Sequence, residues 1–168
     1  MDIKVHISTV FTQTTEYALR SIVWLAQHPG QPQTRQQIAN ATQTPPDYLA
    51  KVMRGLVRAG LVTAGRGLHG GFLLARPPAA VSLLDVVTVV DPIQRIRTCP
   101  LGLAPHRDKL CPVHAKLDEA LALIERTFRE TTIAELLGES GGPRPLRDTI
   151  CDIAPAAVLR SPLLEAHA

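Results

Sequence analysis

No apolar run in this chain of 168 residues approaches the roughly 20 that a membrane-spanning helix needs. The longest candidate, Val86 to Val90, is broken by Thr88, so no membrane partner is expected. The opening MDIKVHISTVF lacks the apolar core of about 7–15 residues that a secretory signal carries. Three cysteines are too few for a disulfide framework, and a reducing cytoplasm is the expected compartment. There is no Cys-x-x-Cys, no glycine-rich nucleotide fingerprint after a strand, and no acid–base set outside one cysteine loop. These absences weigh against a thiol oxidoreductase and against an enzyme generally. No internal repeat is visible. The hydrophobic fraction of 45% is that of a globular chain.

Charge is unevenly placed. Residues 1–80 carry eight Lys and Arg against three Asp and Glu, whereas residues 81–168 carry ten against twelve. The basic excess lies in the first half and suggests a polyanionic partner.

Helical spacing begins with TTEYALRSIVWLAQH, residues 14–28, where Ala18, Ile22, Leu25 and Ala26 recur every three or four positions before Pro29-Gly30 ends the run. A second helix starts at Thr34, with Gln37 completing a capping box ahead of Ile38 and Ala39. A third is expected from Thr44-Pro45-Pro46-Asp47, with Thr44 as cap and the prolines in the first turn, and Gly60 stops it. The period then changes. Leu61 to Ala64 and Gly71 to Ala75 are strand-like runs around GRGLHGG, and Pro77-Pro78 closes the unit. Ser82 to Asp85 forms another capping box, opening a short helix that Asp91-Pro92 ends. Pro112 opens a long helix to about Glu130, and a short helix is expected over Thr132 to Leu137. The fold class is mainly α with a small β-hairpin wing, a winged helix-turn-helix plus a long dimerisation helix. The expected organisation is an N-terminal extension (1–10), a winged helix-turn-helix (11–80), a connector, cysteine loop and dimerisation helix (81–137), and a mobile tail (138–168).

Set at about 100° per residue, Leu49, Val52, Met53, Leu56 and Val57 share one side of the third helix. Lys51, Arg54 and Arg58 fall within about 60° of one another on the opposite side. A helix with an apolar back and a cationic front, reached through a short turn from a separately capped helix, suits a major groove. There its cations neutralise phosphates or donate to guanine edges. Thr44 and Tyr48, near its amino end, are placed for phosphate or base contacts. The bland alternative is a solvated charged face. The glycine-rich hairpin tip favours the DNA reading, because Arg66, Gly67 and His69 there could meet a phosphate or a minor groove closely.

TTEYALRSIVWLA, then IA, then PPDYLAKVMRGLVRAGLVTAGRGLHGGFLLAR resembles the IscR/NsrR-type winged-helix transcription regulators, over about residues 11–137. The wing at 59–75 is the most specific part of the likeness. The resemblance implies a homodimer on a pseudo-palindromic double-stranded DNA operator. The long helix would join the subunits, with Leu117, Leu121, Ile124 and Phe128 on its apolar stripe.

Several members of that family hold an iron–sulfur cluster in the loop that corresponds to CPLGLAPHRDKLCPVH, residues 99–114. By that resemblance Cys99 and Cys111 match the first and third cysteines, His114 a histidine ligand, and Glu16 an acidic ligand given to the partner subunit. The middle cysteine is replaced by Pro105, which has no donor atom, though neighbouring His106 could substitute. Two thiolates, an imidazole and a carboxylate could complete a 2Fe–2S site and sense redox state. Two other readings stand beside it: a thiol switch between Cys99 and Cys111, or a loop that only packs. Cys151 is expected to be a free thiol in the tail.

The expected function is therefore a sequence-specific DNA-binding regulator, a repressor more readily than an activator, controlled at the 99–114 loop. The rival is a winged helix used for protein contact, with a partner enzyme as effector.

Overall fold

The computed structural model describes residues 11–67, 70–100 and 109–138. His69, Pro105, His106, Cys151, the extension 1–10 and the tail from 139 lie outside them. Among the described residues six α-helices and one hairpin follow in order: α1 (Gln13–Gln27), α2 (Arg35–Thr42), α3 (Pro46–Arg58), β1 (Val62–Gly65), β2 (Gly71–Leu74), a 3₁₀ turn at Pro78–Ala80, α4 (Leu83–Val90), α5 (Pro112–Glu130) and α6 (Ile133–Gly138). This is the expected mostly helical order with one wing.

Local chemistry sets most of the boundaries. Thr12 caps α1, one turn before Thr15, and Thr34 with Gln37 and Ser82 with Asp85 form reciprocal capping boxes that start α2 and α4. Between α2 and α3 the chain turns sharply through Gln43, which adopts φ 52°, and Thr44 N–H donates to the Ala39 carbonyl.

That turn overturns one expectation. Thr44 does not cap α3, nor does it face outward. Its side chain is 3% exposed, its oxygen accepts from the Thr42 hydroxyl at 2.8 Å, and Pro45 holds the cap position without any side-chain bond. The tight left-handed turn tucks the Thr44 side chain inward, so its hydroxyl is not presented to a nucleic acid.

The core is continuous. Ile22 and Leu25 of α1, Ile38 of α2, and Leu49, Val52, Met53 and Leu56 of α3 meet Leu61 and Val62 of the wing base, Val81 and Val86 around α4, and Ile133 of α6. Burying a large aliphatic side chain contributes about 1.5–3 kcal/mol, so this cluster carries most of the fold's apolar stabilisation. The antiparallel hairpin pairs Val62 with Leu74 and Gly65 with Gly71. A contact not visible in the pattern ties it to the helices. Gln33, just before α2, exchanges two backbone hydrogen bonds with Phe72, at 3.0 and 2.8 Å, and its buried amide oxygen accepts from Trp24 Nε1. Gly71 is required there, since a Cβ would come within 2.9 Å of the Gln33 carbonyl oxygen. At the wing tip Gly67 adopts φ +94°, the left-handed region that glycine enters without strain.

α5 differs from everything before it. Its 19 residues, about 28 Å long, include none that is buried. It rests on α4, and Phe128 stacks on Phe11 with ring centroids 5.0 Å apart.

Candidate nucleic-acid interface and metal centre

The amphipathic pattern of α3 is realised as read: Leu49, Val52, Met53 and Leu56 are buried, and Lys51, Arg54 and Arg58 are exposed. None of these cations takes part in an ion pair among the described residues, and Arg66, exposed at the end of β1, does not either. Cations gathered on one helix without ion-pair partners leave a positive local field for a polyanion. Tyr48 is exposed on the same helix, though its hydroxyl shares a 2.6 Å hydrogen bond with Thr14 Oγ1 and its ring meets Tyr17 edge-on. Thr14 was not a candidate on sequence grounds. It lines an open cleft of about 370 Å³ with Lys51, Arg54, Arg58, Gly55, Val89 and Val90, so the cationic face continues onto the start of α1 and the end of α4.

α4 also supports α3 from behind. A Cβ on Gly55 would lie 3.3 Å from Val89 Cγ1, so the missing side chain lets α4 seat closely on α3. The segment leaving α4 leads to the second site.

Cys99 ends that segment and is 8% exposed, while Cys111 occupies the N-cap of α5 and His114 its first turn. Both cysteines are thiols, not a disulfide. His114 Nδ1 lies 3.6 Å from Cys99 Sγ and 3.1 Å from Cys111 Sγ, and the donor atoms of all three residues lie within 4.8 Å of one another. Three soft or borderline donors converging in this way can hold a metal and are compatible with an iron–sulfur cluster. Glu16 stands apart. It is exposed in the first turn of α1, and its carboxylate accepts from Arg20 Nε at 2.9 Å, so within its own chain it is not a ligand.

A polar clamp, missed in the sequence, holds the two segments of this centre together. Arg95 donates through Nε and Nη2 to the two oxygens of Asp118, each at 2.6 Å, and Ile96 N–H donates to Asp118 Oδ1 at 2.9 Å. Arg95 Nη1 also reaches Glu125 at 3.5 Å. The guanidinium bond draws the Asp118 carboxyl down to about 2, and its partner's proton is held correspondingly tightly. Arg95 lies four residues before Cys99, and Asp118 one helical turn after His114. The clamp therefore registers the segment that carries Cys99 against the helix that carries Cys111 and His114. Twenty-three positions separate the pair, and no local spacing rule links them.

The sequence profile of the Rrf2 family, described as iron-dependent transcriptional regulators, matches residues 11–139. A protein of Aquifex aeolicus (strain VF5), classed as an HTH-type transcriptional regulator, is 32% identical over 133 residues, covering 76% of this chain and 91% of that protein. Among solved structures, CymR, the global cysteine regulator of B. subtilis, superposes with a TM-score of 0.64 at 23% identity, covering 75% of this chain and 94% of that one. IscR of T. potens does so at 0.63 and 23%, covering 79% and 93%. At these identities the two structures establish a shared fold. The profile match and the Aquifex relative go further: this chain belongs to the Rrf2 family and is a DNA-binding transcription regulator, not an enzyme.

Proposed function

We propose that the chain is a homodimeric repressor whose operator affinity is set at the Cys99–Cys111–His114 centre. The observation that carries the DNA half is the row of unpaired cations on α3, Lys51, Arg54 and Arg58, backed by a fully buried face. In this reading α3 lies in the major groove, with Tyr48 near its entry, and Arg66 and Gly67 bring the wing to the neighbouring minor groove. Two such heads, about 34 Å apart, would read a pseudo-palindrome. α5 would join them. Leu117 is half exposed, Val113 and Leu123 more so, and Leu121, Ile124 and Phe128 are only partly covered, leaving an apolar face unmet within the chain.

Control at the thiols has a physical route. The centre sits where the clamped 91–98 segment meets α5, that segment continues from α4, and α4 packs on Gly55 of α3. Occupancy that favours one arrangement of the segment biases α3 through contacts already made. The family resemblance implies a 2Fe–2S cluster at these residues. Such a cluster takes four protein donors. Three are in this chain, and a fourth would come from Glu16 of the partner subunit.

The test is fluorescence anisotropy on duplexes selected from random sequence, repeated across salt. Arg54→Ala and Arg66→Ala should each weaken binding and reduce the log–log salt slope by about one unit. Isotherms indifferent to both substitutions would favour the winged helix as a protein-contact module.

A further inference from the structure

We infer that Cys99, Cys111 and His114 bind one divalent metal ion of the zinc or ferrous class, with a fourth coordination position open to an exogenous ligand, in place of a two-iron cluster. This deepens the proposed regulation at that centre and rests on it for its biological role, though the binding chemistry stands separately.

The argument is one of size and donor number. A tetrahedral ion with metal–sulfur bonds of about 2.3 Å and metal–nitrogen bonds of about 2.0–2.1 Å holds its sulfur and nitrogen ligands about 3.6 Å apart. The two Sγ–Nδ1 separations here are 3.6 and 3.1 Å, and no donor lies more than 4.8 Å from another. The three atoms thus surround a single point. A two-iron core needs its donors as two pairs on opposite ends, and three donors gathered within 4.8 Å of one another suit a single ion better than both ends of that core. Position 105, where the resemblance expects the remaining cysteine, is proline and supplies nothing.

The arrangement is also held in advance of any ion. Cys111 and His114 are fixed three residues apart at the start of one helix, and Cys99 is brought to them by the Arg95–Asp118 clamp and the Ile96 N–H bond. Two thiols and one imidazole suit a borderline-soft divalent ion better than calcium or magnesium, which take oxygen. Binding converts both thiols to thiolates and releases two protons to solvent, with no change of oxidation state. Three protein ligands leave the tetrahedron incomplete, and the remaining position takes water or a small thiol or anion.

The full chain, reduced and free of metal, is titrated anaerobically with Co2+ and then with Zn2+. One Co2+ per chain should give thiolate-to-cobalt charge transfer and the visible bands of a tetrahedral site, and Zn2+ should abolish both. Cys99→Ser and His114→Ala should each weaken Zn2+ binding more than tenfold with the helical circular dichroism unchanged. Asp118→Asn, which touches no donor atom, should weaken it by about 10–100-fold and alter the cobalt spectrum. Metal and sulfide analysis after anaerobic isolation should give one zinc or iron per chain without acid-labile sulfide. Two irons with equimolar sulfide, no cobalt bands, or binding indifferent to Cys99→Ser and His114→Ala would each overturn the inference. Loaded protein that binds one ion yet selects no duplex would leave this site standing and remove the proposed repressor function.

Discussion

The head formed by α1 to β2 and the arm from Asp91 through α5 are held by different forces. In the head, Ile22, Ile38, Leu49, Leu56 and Leu61 are sealed from solvent and share one apolar cluster. In the arm no residue of α5 is buried, and a salt-linked clamp, one ring stack and a Cys–His contact hold it. Apolar packing is nondirectional and cooperative, so the head should behave as a rigid reader. Polar clamps near solvent are weaker and depend on geometry, so the arm is the part that a signal or a partner subunit can move.

The strongest way to break this contrast is to remove one side chain from each region. Leu56→Ala should cost about 2–5 kcal/mol in denaturant unfolding, because its cavity lies in a closed core. Leu117→Ala should scarcely change head unfolding and should instead weaken the proposed dimer, seen as a shift toward monomer in sedimentation. Equal losses of unfolding free energy would erase the distinction between the regions.

A smaller effect sharpens it at the wing. Gly71→Ala places a methyl against the Gln33 backbone and should cost about 1–3 kcal/mol, with hydrogen exchange rising at Phe72 and Gln33. Gly67→Ala, strained in backbone but open in space, should act mainly on the tip.

The smallest effect concerns pH. Asp118 titrates near 2 in the fold, below its ordinary value near 4. Its contribution is therefore complete above about pH 4 and is lost as pH falls through 2. Protease cleavage within 92–110 should stay flat from pH 5 to 8 in the native chain. Asp118→Asn should raise that cleavage without moving the unfolding midpoint of the head. A cleavage rate that changes across neutral pH would show that Asp118 is not the group that holds the segment.

Much of the order of elements was legible in the sequence, because its signals are local. The capping boxes at Thr34 and Ser82, the proline-led start of α5 and the period of α3 each span a turn or two, and each appears where spacing places it. Thr44 misled because a cap and a buried turn residue share the same letter. Only the left-handed Gln43 decides between them. The convergence of Cys99 with His114 was open to argument by resemblance but not by spacing, since the positions between them could close or not.

The order of helices and hairpin, the apolar back of α3 and its cationic front follow from short-range periodicity, in which side-chain direction repeats every 3.6 residues whatever surrounds the helix. Which of those faces is sealed, that Gln33 ties the wing to the head, and that Arg95 reaches Asp118 to draw three donors around one point depend on contacts between residues far apart in the chain. Such contacts are chosen by the packing of the whole core, and no window of neighbouring residues contains them.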